Sequence, residues 1–287
     1  MTSTKTVVLT GGTNGIGLLV GKELARRGEH LIMLARNTDK AQAIRSEIQK
    51  ETPGAIVDIF YSDFARLETV TSAVASINER FTQVDVLINN AGVHAFSQRL
   101  TEDGFAEMLS VNYLAPWLLT NKLGTLLDAS KHARVVTVAS EASRHGGSVN
   151  PDNNLTDTAQ FTRRKSMELY GKTKLMNIMF SIEFARRMRG TNVSSNCLDP
   201  GFNATGIGRE LPFSGPILRI LNTLGIGNPK QGADIIIQLA ADPDFSSVTG
   251  QYFSRRAEPI VPTGDSANPA ARLALWNATE QLLKKFL

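Results

Sequence analysis

Residues 7–21, VVLTGGTNGIGLLVG, place Gly11, Gly15 and Gly17 where a β-branched run gives way to an apolar helical pattern. Glycine there permits positive φ and lets another molecule approach the main chain, at an entropic cost that a plain connection avoids. A strand, a glycine turn and an amphipathic helix in that order begin a βαβ unit. Such a unit commits the chain to a parallel sheet covered by helices.

The rest of the chain keeps to that commitment. Short β-branched runs near 6–11, 31–35, 55–60, 84–89, 134–139, 192–198 and 250–253 alternate with longer amphipathic stretches. This predicts a doubly wound α/β fold, a mostly parallel seven-stranded sheet with helices on both faces. In the first helix Ile16, Val20 and Leu24 share a face, and Gly28 stops it. No linker or internal repeat divides residues 1–287, so a single domain is expected. Two irregular segments, 141–165 and 201–230, interrupt the pattern, and long loops in compact domains are usually functional.

Composition narrows the partners. The 31 basic and 27 acidic residues give a net charge of +4 and are scattered, which argues against nucleic acid and leaves room for an anionic cofactor. A lone cysteine, Cys197, fits a reducing, cytoplasmic setting, and nothing in the His and Cys spacing suggests a metal site. With no signal-like or membrane-length apolar run, integral membrane insertion is not expected.

In an open parallel sheet, ligands bind outside the carboxyl ends of the strands, and a glycine turn there offers free amides at a helix N-terminus. Gly11, Thr13, Asn14, Gly15, Ile16 and Gly17 are therefore candidates to hold a pyrophosphate. The second strand ends IMLARN, with no acid between Leu31 and Thr38. An acid at this edge would bond a ribose 2′-hydroxyl, whereas Arg36 suits a 2′-phosphate, pointing to NADP(H) over NAD(H).

The spacing Thr-Gly-x-x-x-Gly-x-Gly at Thr10–Gly17, followed by DVLINNAGV (85–93), VNYLAPWLLT (111–120), RVVTVAS (134–140), YGKTK (170–174) and CLDPGFNAT (197–205), resembles the short-chain dehydrogenase/reductase family. The motifs cover roughly residues 5–255, and the resemblance implies a Rossmann-type sheet and a nicotinamide cofactor. By that resemblance Asp63 and Phe64 would meet the adenine, Asn90, Ala91 and Gly92 the adenosine ribose, and Pro200, Gly201 and Thr205 the nicotinamide end. Asp63 is also placed to N-cap a helix beginning near Ala65.

Tyr170 and Lys174 are one turn apart on a helical pattern read as opening at YGKTK. The family joins them with Ser140 and Asn112 as a catalytic tetrad, with Tyr170 and Lys174 also meeting the cofactor. Free tyrosine ionises near pH 10. A lysine ammonium about 4 Å away, at an effective dielectric near 20, would favour phenolate by roughly 4 kcal/mol, about three pK units before desolvation. Tyr170 would exchange a proton with a carbonyl or alcohol oxygen that Ser140 orients, and Asn112 would hold a water in the relay to Lys174. The strand end reads TVAS where many relatives have NVSS, which leaves Ser143 as a fallback hydroxyl. His145 is read as a loop residue without a proton role.

Residues 202–227 are apolar, with Arg209, Glu210 and Arg219 as their only charges. They suit a lid, an oligomer surface or a membrane contact. The helix after Tyr170 and the insertion before it look most like the retinol-dehydrogenase-like branch, which implies an apolar alcohol or carbonyl substrate. A cofactor-binding sensor or scaffold, and an NAD-dependent epimerase or dehydratase, are the rival readings.

Overall fold

The computed structural model describes residues 4–201 and 228–287. Its strands are β1 (Thr6–Thr10), β2 (His30–Ala35), β3 (Val57–Tyr61), β4 (Val86–Asn89), β5 (Ala133–Val138), β6 (Val193–Leu198) and β7 (Tyr252–Phe253). They form one sheet in the order β3-β2-β1-β4-β5-β6-β7, and every neighbouring pair is parallel. The alternation of runs in the sequence anticipated each strand to within about two residues. Apolar sequence on both strand faces follows from burial on both faces.

The period of two in each strand assigns its residues to opposite helical layers. Val7 and Leu9 of β1, with Leu31 and Met33 of β2, pack against α1 (Gly15–Arg26), α2 (Thr38–Glu51) and α6 (Pro229–Ala241). Val8 and Ile32 turn the other way, toward α3 (Leu67–Arg80), α4 (Ala115–Lys122) and the long α5 (Arg163–Arg187). Gly28, at φ +83°, ends α1 where the sequence placed its stop. None of the described helices is long and apolar enough to cross a membrane.

Two helix starts differ from expectation. α3 begins at Leu67, and the amide of Leu67 is capped from afar by Asp103 (2.8 Å), while the Asp63 carboxylate accepts the amide of Ala65 in a local turn before the helix. α5 begins at Arg163, seven residues before Tyr170, because Arg163–Leu169 continue the helix with no breaker among them. Tyr170 and Lys174 therefore sit well inside a 25-residue helix, where fraying does not reach.

The C-terminal helix α7 (Pro269–Leu282) packs on α4 and α5 through aromatic rings. Trp276 lies 5.2 Å from Trp117 and 6.0 Å from Phe180, centroid to centroid, with the Arg187 guanidinium 4.3 Å from its ring. Further along α7, Thr279 and Tyr113 share a buried hydrogen bond of 2.7 Å. Trp276→Ala is expected to lower unfolding stability by about 3–5 kcal/mol, measured by urea denaturation, because it empties a ring-sized site in this layer.

Candidate active site

The direction of strand order reverses at β1, which has β2 on one side and β4 on the other. Loops leaving β1 and β4 depart to opposite layers there and open a crevice at the carboxyl edge. One hydroxyl ties the two loop starts together. Thr10 Oγ1 donates to the carbonyl of Ile88 (3.2 Å) and accepts the amides of Asn90 and Ala91 (2.9 Å each). The Asn90 amide group reaches back to the carbonyl of Thr10 (2.9 Å).

The glycine turn is shaped by this contact. Gly11 and Gly15 have φ of +69° and +55°. A Cβ on Gly17 would stand 2.3 Å from the carbonyl oxygen of Gly11 and 2.5 Å from Asn90 Nδ2. Gly17 thus lets α1 start hard against the turn, while Thr13, Asn14, Gly15 and Ile16 remain partly open to solvent above it. Asn14 precedes α1 without a side-chain cap, so no side chain of the N-cap occupies the first-turn amides.

The other candidates for the cofactor lie along the same edge. Arg36 is exposed directly after β2, and Asn37 beside it caps α2 by accepting the amide of Lys40 (2.8 Å). Asp63 is half-buried after β3, and the carbonyl of Phe64 accepts a hydrogen bond from Ser110 (2.7 Å). Gly92 is exposed after β4, where an added Cβ would only touch Asn112 Oδ1 and Lys174 Nζ, each at 3.4 Å. Uncapped amides at the start of α1, an exposed glycine after β4 and an exposed guanidinium after β2 all stand at the carboxyl edge of the sheet, a donor set that suits a dinucleotide. Pro200 and Gly201 follow β6 at its far end, with Gly201 at φ +77°, and Thr205 lies outside the described residues.

Beyond Gly92 stand the reacting candidates. Ser140, just past the end of β5, brings its hydroxyl near the phenol of Tyr170 on α5. Gly171 makes that meeting feasible, since a Cβ there would lie 2.2 Å from the carbonyl of Ala142 in the loop that follows Ser140. Lys174 is buried and donates to the carbonyl of Val138 (2.9 Å). Asn112 sits in a π-helical turn, Ser110–Leu114, a distortion common at functional sites. Its Oδ1 accepts the amide of Val93 (2.7 Å), and its Nδ2 donates to the carbonyl of Val93 (2.9 Å) and to Thr173 (3.0 Å).

Burial governs the ionisation of both key groups. It pushes the Tyr170 phenol above its ordinary value; Ser140 lowers it and the Asp199 carboxylate raises it. Desolvation pulls Lys174 down to about 8, against the attraction of Asp199. The expected three-unit depression of Tyr170 by Lys174 is therefore absent. The ammonium stands 5.7 Å from the phenol ring centroid, points at Val138, and shares the dry surroundings that disfavour phenolate.

Ser143 is buried and acts on the phenol of Tyr252, whereas Ser140 acts on that of Tyr170. His145 is exposed at the end of a short 3₁₀ turn. Sequence patterns carry little sign of two further contributors and only part of the role of a third. Thr10 shows in the sequence only as the start of the glycine motif, and Thr173 has no signal beyond standing beside Lys174. Asp199, expected only as part of the Asp199-Pro200-Gly201 turn after β6, accepts the amides of Glu141 and Gly201 at Oδ1 (3.1 Å each) and so binds the loop after Ser140 to the end of β6.

Residues 5–151 match the family model described as short chain dehydrogenase. The chain is 32% identical to mouse (Mus musculus) retinol dehydrogenase 14 over 294 residues, covering 97% of this chain and 86% of that one. A crystal structure of an uncharacterised protein from Mycobacterium paratuberculosis matches with a TM-score of 0.74 at 27% identity, over 98% of this chain and 93% of the other. A Beutenbergia cavernae structure titled as an NAD(P)-dependent gluconate 5-dehydrogenase with bound NADP matches with a TM-score of 0.68 at 26% identity, over 88% and 96%.

The buried lysine has a consequence for stability. Below pH 8 Lys174 is charged in both states. Between about 8 and 10.5 the unfolded chain holds a proton that the folded chain has lost, so this group makes stability rise with pH. The slope for one proton is at most about 1.4 kcal/mol per pH unit. Urea midpoints of wild type and Lys174→Met at pH 7.5 and 9.5 should show the difference moving in favour of wild type at the higher pH.

Proposed function

Because the chain belongs to the short-chain dehydrogenase/reductase family, we propose that it is an NADP(H)-dependent oxidoreductase interconverting an apolar alcohol and its ketone or aldehyde. The observation that carries this reading is the meeting of α5 with the end of β5 at the crevice: buried Lys174 donates to the carbonyl of Val138 and lies 5.7 Å from the centroid of the Tyr170 ring, with Ser140 near the phenol. The nicotinamide, when bound, supplies or accepts the hydride.

Tyr170 holds its proton at neutral pH because burial disfavours the phenolate, so it serves as the acid that protonates a carbonyl oxygen during reduction. Ser140 donates to the same oxygen and stabilises charge developing there. Lys174, pulled down to about 8, exchanges a proton near neutral pH and can restore the one Tyr170 gives up. Asn112 uses both amide hydrogens to hold Val93 and Thr173, and its Oδ1 shares with Lys174 Nζ the space beside Gly92. In oxidation the order reverses, with Tyr170 receiving the alcohol proton.

Val93, Ala95, Met108, Ala142, Phe161 and Leu169 surround Tyr170, in keeping with an apolar substrate and with resemblance to a dehydrogenase named for retinol. Preference for NADP(H) rests on Arg36, since a guanidinium pairs a 2′-phosphate bidentately. One buried cysteine and no need for an oxidised pair suit a cytoplasmic enzyme.

NADPH consumption with a panel of apolar aldehydes and ketones tests the reading. Tyr170→Phe is expected to lower turnover by about 10²–10⁴-fold with NADPH affinity retained. Full activity in that variant, or NADPH binding without turnover across the panel, would overturn it. Arg36→Ala should raise the KM for NADPH by about 10-fold or more while sparing NADH, as loss of a charged hydrogen bond requires. Equal effects on both cofactors would contradict the role of Arg36.

A further inference from the structure

We propose that His94 is a positioning residue for the proton donor, its imidazole acting as a flat wall that fixes the ring plane of Tyr170. The inference rests on the reading of Tyr170 above. His94 is buried in the loop after β4, and its ring lies on the phenol ring with centroids 4.8 Å apart and planes 26° from parallel. Its Nε2 is 3.2 Å from Ser166 Oγ, one helical turn before Tyr170 on α5. The Ser166 hydroxyl donates to the carbonyl of Arg163 (2.9 Å), so its single proton is committed and Nε2–H of His94 must be the donor between them.

The wall is held on its other sides as well. Phe96 lies 4.6 Å from the imidazole on a ring-to-ring measure, and the Arg163 guanidinium stands 5.0 Å from Phe96. Asn112 grips both backbone polar groups of Val93, so the chain entering His94 is fixed before its ring begins. A tyrosine reaches its hydroxyl through two rotatable bonds and a long ring, and a small tilt moves that hydroxyl off Ser140. Misplacement by about 1 Å is enough to cost on the order of 10²-fold in rate.

His94→Ala, His94→Leu and His94→Phe in the full chain separate this role from packing. His94→Ala and His94→Leu should each lower kcat by about 10-fold or more, with KM and NADPH affinity changed far less. His94→Phe, which keeps a flat ring, should recover most of the loss. His94→Leu keeps apolar bulk, so its melting midpoint near wild type would separate lost orientation from lost fold even if His94→Ala fails to fold. Wild-type kcat in His94→Leu, or a His94→Phe variant as slow as His94→Leu, would overturn the proposal.

A second readout does not need turnover. With ¹³C-labelled tyrosine, the Tyr170 ring signal is the one absent from Tyr170→Phe. It should shift in His94→Leu, where the stacked ring is gone, and an unmoved signal would also overturn the proposal. Were wild type to show no Tyr170-dependent turnover, the functional reading would fall, while an unmoved signal would still refute the His94–Tyr170 contact on its own.

Discussion

The crevice exists because parallel strands on either side of β1 send their loops to opposite layers, and the Thr10 hydroxyl holds the two departing loops at one spacing. Three hydrogen bonds on a single buried oxygen fix the start of the glycine turn against the start of the Asn90–Gly92 loop. From that spacing follow the tight approach of Gly17 to Gly11, the open amides above it and the position of Gly92 beside Asn112 and Lys174. A side chain larger than hydrogen at Gly17 would push α1 off the sheet edge and undo the same arrangement.

The reacting end depends on dryness more than on a close ion pair. Tyr170, Lys174 and Asp199 are all largely withdrawn from water, and each is shifted toward its neutral form. Burial thus keeps the phenol protonated and brings the lysine down to about 8. Asp199 moderates the shift of Lys174, since its charge favours the ammonium, and deepens that of Tyr170, since it opposes the phenolate. The loop after Ser140 is pinned by Asp199 on one side and by the Gly171 contact on the other, which holds Ser140 beside the helix that carries Tyr170.

Sheet topology and the line of cofactor candidates were legible because they depend on local patterns: β-branched runs, a glycine turn and arginine at a strand end. Ser140, Tyr170, Lys174 and Asn112 were legible only through resemblance, since their meeting involves elements far apart in sequence. Three things escaped. The start of α5 at Arg163 was hidden by the irregular look of the preceding insertion. The orientation of Lys174 toward Val138 is set by tertiary packing, so helical spacing gave its neighbour but not its aim. His94 follows a motif without belonging to it, and only the fold lays its ring on Tyr170.

Hydride transfer is the central claim, and the fate of an isotope tests it most directly. NADPH carrying deuterium at the reactive C4 position, supplied separately in each of its two stereochemical forms with an apolar ketone, can be followed by mass spectrometry of the alcohol product. Deuterium on the former carbonyl carbon from one form and not the other is the expected result, because a fixed crevice presents one face of the ring. Alcohol formed without deuterium from either form would contradict direct transfer in this site.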